Sequence, residues 1–251
     1  MTKLRPLPTT GARTGILEAL AFFRAPSFAQ RRFDRLGNVF ETSMLGQPMV
    51  FIQGSKAIAD LLSQPEAIEG WWPESVQQLL GSYSLANRNG ASHKARRRVV
   101  AQLFSSSALQ RYSPGIINLI DELGEELKAA KAPLPLAERM RRFAFSVIAT
   151  TVLGLEGNDR DKLFSDFEIW TKALFSVPIA LPGSPFAKAL KARKRLIEKL
   201  QEIVNQPINS KGGLELLAGG LDEAGIPFAD EDLGEQLLLL LFAGYETQLL
   251  L

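Results

Sequence analysis

Apolar and polar positions follow a helical period along most of this chain and a strand period in one place. The strand signal lies in two runs of β-formers, Val39 to Leu45 and Met49 to Ile52, which flank Gly46-Gln47-Pro48 and predict a hairpin. Ahead of it, the spacing predicts short helices over 16–23 and 26–36. The second carries a basic face (Arg31, Arg32, Arg35) and is stopped by Gly37. Behind it, Ser55 is placed to cap a helix over 56–62, and 74–80 reads as a helix ended by Gly81 within the irregular stretch 64–89. Helical spacing then recurs over 90–104, over 116–128 after the Ser105–Ser107 caps and a bend or restart at Pro114, and over 136–153, 160–176 and 186–205. The Gly-rich stretch 212–227 predicts a short helix within a loop. The final stretch, 230–251, opens on Asp230-Glu231-Asp232, where negative charge suits the free N–H groups of a helix start. A nearly unbroken apolar run follows, Leu237 to Ala243. A helix from Glu231 to Leu251, about 31 Å long at ~1.5 Å per residue and apolar on every side, belongs in the middle of a core. The predicted fold is mainly α with a small N-terminal hairpin, divided into a hairpin segment over 1–62 and a helical part over 63–251.

The composition narrows the chemistry. The formal net charge of +2 gives no bulk field toward nucleic acid or an acidic partner. With no Cys, residues 1–251 hold no disulfide, thiolate ligand or Cys nucleophile, and a single His rules out a His-cluster metal site. The Pro-rich polar start lacks an apolar signal core, and the Leu237–Ala243 run is too short to span a bilayer, so the expected location is cytoplasmic.

Two stretches carry candidate chemistry. On a helix over 90–104, His93, Arg97, Val100 and Phe104 fall within about 60° of one another. If that stripe is buried, Arg97 needs an anion, because a buried charge left unpaired costs roughly 3–5 kcal/mol. A cofactor carboxylate, a structural ion pair, a solvated basic helix and a phosphate or nucleic-acid patch would all meet that pattern. The last lacks interleaved aromatics and overall charge. In the terminal helix, Ala243-Gly244-Tyr245-Glu246-Thr247 interrupts an apolar run with a Gly that costs roughly 1 kcal/mol against Ala, an acid and a hydroxyl. Trp71-Trp72 needs apolar cover or a ligand.

The pentapeptide resembles the Ala/Gly-Gly-x-Asp/Glu-Thr signature in the long central helix of cytochrome P450 haem-thiolate monooxygenases. His93 followed four residues later by Arg97 resembles that family's pair directed at a haem propionate, in the style of its microbial and animal retinoid-oxidising branches. Leu36-Gly37-Asn38-Val39-Phe40 before a hairpin, and a helix–apolar loop–basic helix unit over 160–205, are similar to its N-terminal sheet and its substrate lid. The resemblance implies the N-terminal half of the family fold, truncated in the oxygen-groove helix. It also implies haem as cofactor, with O2 and with electrons from NAD(P)H passed on by a ferredoxin or flavoprotein redox partner. The implied reaction inserts an oxygen atom into an apolar, retinoid- or terpenoid-like molecule. By resemblance His93, Arg97, Ala243 and Gly244 are cofactor-binding, Glu246 and Thr247 act in proton delivery, and Trp71 and Trp72 line the substrate pocket. The apolar loop 177–186 beside basic residues suits peripheral membrane contact. The family's Glu-x-x-Arg helix and Cys-bearing haem loop have no counterpart in residues 1–251, so the chain is expected to be inactive without a C-terminal half. The alternative is a truncated non-enzymatic paralogue, or a helical remnant that binds apolar ligands.

Overall fold

Eleven α-helices and one antiparallel hairpin, with two short 3-10 turns, make up the regular structure of the described residues. The computed structural model describes residues 6–44, 46–174, 176, 178, 180–205 and 213–247, the side chains of 23, 67, 246 and 247 excepted. They gather into two compact units with the boundary after Glu69.

The first unit holds α1 (Ile16–Arg24), α2 (Phe28–Leu36), the strands β1 (Val39–Met44) and β2 (Gln47–Ile52), and α3 (Ser55–Leu62). The strands pair from Val39↔Ile52 to Met44↔Gln47. This register stacks Phe40 on Phe51 at 5.1 Å, with Phe28 against Phe51 at 5.6 Å. Arg32 lays its guanidinium over Phe28 at 3.5 Å and grips both oxygens of Glu18, so the basic face of α2 is in part tied to α1. Ser55 is the first helical residue of α3 rather than its cap; Gly54 takes the cap position and no side chain bonds there.

The second unit is helical throughout, from α4 (Glu74–Leu80) and α5 (Gly90–Gln102) through α6 (Ser106–Ala129), α7 (Leu136–Thr151), α8 (Gly157–Thr171) and α9 (Pro185–Val204) to α10 (Leu214–Ala218) and α11 (Asp230–Thr247). Ser105 caps α6 by accepting from the Ala108 N–H at 3.3 Å. The helix runs unbroken through Pro114, where a bend or restart was expected. Pro114 and Gln110, whose carbonyl loses its partner, are both exposed, so water can serve that carbonyl. Ser184 and Pro185 start α9 in the same economical way, a hydroxyl accepting from Ala187 N–H and a proline whose missing N–H is not needed there.

The core follows from the periodicity. Helix α9 buries Phe186, Ala189, Ala192, Leu196, Leu200 and Ile203, one stripe at helical spacing. Helix α11 packs against α7 and α9 and is buried over nearly its whole circumference from Asp232 to Leu241, as its all-round apolar run requires. Trp170 of α8 is fully buried, and its indole N–H donates to the Leu79 carbonyl at 2.9 Å.

Candidate functional site

Three polar side chains sit within the buried part of α11, and each has an assigned partner. Asp232 is 3% exposed and Arg96 of α5 is 4% exposed. The Arg96 fork reaches both Asp232 oxygens, with Nε to Oδ1 at 3.3 Å, while its Nη1 donates to Glu223 at 3.0 Å and to the Ser92 hydroxyl at 2.7 Å. Burial works against the Arg96 charge, but hydrogen bonding and attraction to Asp232 and Glu223 outweigh it and hold the guanidinium above its ordinary pKa. The Glu223 carboxyl is held below the ordinary carboxylate range, by a backbone hydrogen bond first and by Arg96 after it. One turn on, Glu235 accepts from the backbone N–H groups of Tyr83 and Ser84 at 2.6 and 3.1 Å and pairs with Arg193 of α9. Gln236 accepts from Leu85 N–H at 3.0 Å and donates to the Tyr83 carbonyl at 2.6 Å and to Asp232 at 2.9 Å. The loop between α4 and α5 is therefore laid along the first half of α11.

This arrangement decides which face of α5 is free. Sequence spacing pointed to Arg97 as the arginine that burial would force to find an anion; the structure buries Arg96 instead. Ala95, Arg96, Val99 and Leu103 point inward, whereas Arg97 and Phe104 (58% exposed) are open and His93 is half-buried. Among the described residues, neither the His93 ring nor the Arg97 guanidinium has a hydrogen-bond or ion-pair partner. On α5, His93 and Arg97 thus offer two donor groups with no partner among the described residues, whereas Phe104 lies beyond the helix end at Gln102 and not on the same helical stripe as expected. That donor set fits a carboxylate on a flat apolar ligand, as a haem propionate would present. The acidic partners of Arg96, by contrast, were not legible as such. Asp232 was read as a helix-start charge, and its pairing spans 136 residues of sequence.

At the far end of α11, Ala243 is exposed and Gly244 is half-buried against α7, where an added Cβ would meet Ile148 Cγ1 at 3.0 Å. Tyr245, whose side the sequence left open, turns into the core and meets Phe167 edge-on at 5.2 Å. It floors a cleft of about 360 Å³ lined by Glu138, Arg141, Phe164, Glu168, Thr171 and Lys172. Backbone register puts positions 246 and 247 within about 60° of Ala243 on the helix; the side chains of Glu246 and Thr247 lie outside the described residues. Trp71 is 56% exposed, and Trp72 packs against the main core. Gly70, just before these tryptophans, exchanges two hydrogen bonds, at 2.8 and 3.1 Å, with the side chain of Asn89 at the start of α5.

The cytochrome P450 family model matches residues 24–249. Cytochrome P450 120 of Synechocystis sp. is 32% identical over 254 residues, which is 98% of this chain and 57% of that protein. Cytochrome P450 26B1 of Danio rerio is 29% identical, with 90% of this chain covering 46% of its length. Among solved structures, retinoic-acid-bound cyanobacterial CYP120A1 superposes with a TM-score of 0.85 at 32% identity, over 96% of this chain and 57% of the other. The chain spans about half the length of the curated relatives it matches.

Proposed function

Because the chain belongs to the cytochrome P450 family, we propose that residues 1–251 form the propionate-holding and oxygen-groove part of a haem-dependent monooxygenase acting on an apolar, retinoid-like molecule. Both units are read as parts of one domain that a further, Cys-bearing segment completes. The observation that carries the proposal is the open face of α5, where His93 and Arg97 have no partner among the described residues. Haem, when bound through a thiolate from that further segment, supplies the oxygen chemistry. The chain's own residues do the rest. His93 and Arg97 donate to the cofactor carboxylates and fix its orientation. Ala243 and Gly244 keep the α11 surface low, and Thr247 and Glu246 hold and pass protons. Leu239, Phe242 and Trp72, all half-buried, offer apolar surface to the substrate. The substrate class is supported by the retinoic acid named for the CYP120A1 structure. Electrons come from a redox partner of ferredoxin or flavoprotein type.

Arg97→Ala is expected to weaken hemin binding by the 251-residue chain about tenfold, as loss of a charge-assisted hydrogen bond of roughly 1.5 kcal/mol implies. A Soret titration reads it, and unchanged affinity counts against the reading. No helix among the described residues is long and apolar enough to cross a membrane. Peripheral contact remains part of the proposal because Leu181 is 66% exposed among prolines, close in sequence to the exposed Lys188 and Lys191. Leu181→Asp should reduce co-sedimentation with anionic vesicles; equal sedimentation would remove the membrane from the account.

A further inference from the structure

Helix α5 has a weak intrinsic sense of direction. Its inward apolar residues are Ala95, Val99 and Leu103, a narrow stripe, and its remaining surface is basic on several sides. Apolar contact is non-directional, so such a stripe tolerates rotation about the helix axis. The Arg96 guanidinium does not. It is planar, and it is held at once by two oxygens of Asp232, by Glu223 at 3.0 Å and by the Ser92 hydroxyl at 2.7 Å. Asp232 is in turn braced by Gln236, which also grips the loop entering α5 at Tyr83 and Leu85. On a helix Arg96 lies about 60° from His93 and about 100° from Arg97, so any roll that loosens one swings the others.

We propose that the Arg96–Asp232 pair, completed by Glu223, is a positioning clamp that sets the rotation of α5 and so keeps His93 and Arg97 aimed outward at a carboxylate-bearing macrocycle. The inference rests on the haem reading above and adds three residues to it, none of which touches the cofactor. The pair need not stabilise the fold to do this. Replacing a buried ion pair by apolar residues of similar volume is often neutral or stabilising, which separates orientation from stability in a test.

The test uses the full 251-residue chain, with hemin and hemin dimethyl ester as probes and thermal melts run in parallel. The variants are Arg96→Met/Asp232→Leu, Arg97→Ala and His93→Ala. In the double variant the melting temperature is expected to hold within a few degrees while hemin affinity falls about tenfold or more, the scale at which partners that orient ligands act. The dimethyl ester, whose carboxylates are capped, should bind wild type and double variant equally. Hemin affinity at the wild-type level in the double variant, with Arg97→Ala weakened, overturns the clamp and leaves the haem reading standing. Equal affinity in wild type, Arg97→Ala and His93→Ala sinks the haem reading and the clamp together. A loss in the double variant that is the same for both probes marks a merely structural pair and also overturns the clamp. Should the double variant not fold, Arg96→Lys decides. It keeps the charge without the planar fork, so ester-insensitive binding at wild-type affinity refutes the clamp, and a loss confined to hemin upholds it.

Discussion

At the scale of single residues, two glycines separate structural from functional need. Gly81 ends α4 at φ 97°, and an added Cβ would overlap the Glu235 carboxyl and the Arg193 guanidinium. Both the backbone and the space forbid a side chain, so Gly81→Ala should destabilise by roughly 2 kcal/mol or more, read as a lower urea midpoint. Gly244 is different. Its backbone is helical, and a Cβ would meet Ile148 at Cγ1, 3.0 Å away, and Cδ1, 3.3 Å away, a crowding that a shift of a few tenths of an ångström relieves. The gain of roughly 1 kcal/mol in helix propensity from Gly244→Ala should offset that crowding and leave the urea midpoint within experimental scatter. A fold-neutral glycine in a core helix is what a groove-forming role leaves behind; a large destabilisation would return Gly244 to ordinary packing. Glu223 sets a pH effect whose sign follows from its lowered pKa. Its contribution is fully present above the ordinary carboxylate range and is lost as pH falls through the depressed value. The stability difference between wild type and Glu223→Gln should therefore be present at neutral pH and vanish in acid, as paired denaturation curves across that range would show.

At the scale of elements, α11 has two halves with different tasks. The first half carries Asp232, Glu235 and Gln236, which satisfy backbone groups of the loop before α5 and fix α5 itself. Glu235→Ala should leave the Tyr83 and Ser84 amides without their acceptor and the Arg193 charge without its acid. The expected cost is about 3 kcal/mol, with faster amide exchange confined at first to 81–85. Protection unchanged in that loop would mean that the rest of the junction, including Trp170 and Arg193 on the Leu79 carbonyl, suffices. The second half of α11 is the Ala243–Thr247 segment, presented on a helix already immobilised by the first. The basic helix over 186–205 splits in a similar way: Lys188, Lys191 and Lys194 are solvated, whereas Arg193 turns in to meet Glu235. Helix positions were legible because a 3.6-residue period is a local property of the sequence. The inward arginines at 96 and 193 were not, since each sits in a run of like charges in which every face carries a cation.

At the scale of the molecule, the match to the cytochrome P450 family covers most of this chain but only about half of its relatives. Residues 1–251 contain no Cys, so the reduced, CO-treated complex of this chain with hemin should lack the absorption signature of thiolate ligation. Appearance of that signature would require a thiolate, and residues 1–251 contain no Cys. Local pattern alone reveals the helical order, the hairpin (though not its turn, since Gln47 and Pro48 pair within β2), the centrality of the last helix, and the family, the last through the small, acidic and hydroxylic positions at 243–247 and the His93–Arg97 spacing. These are properties of neighbours along the chain, where spacing fixes which residues share a face. Three-dimensional packing was needed to show that Arg96 rather than Arg97 is buried, that Asp232, in the first turn of α11, also serves α5, and that Tyr245 faces the core. Each of those depends on a partner on another element of the fold, up to 136 residues away for Arg96 and Asp232. An arginine can satisfy its charge with any acid the fold brings near, so the choice is made by packing and not by local pattern.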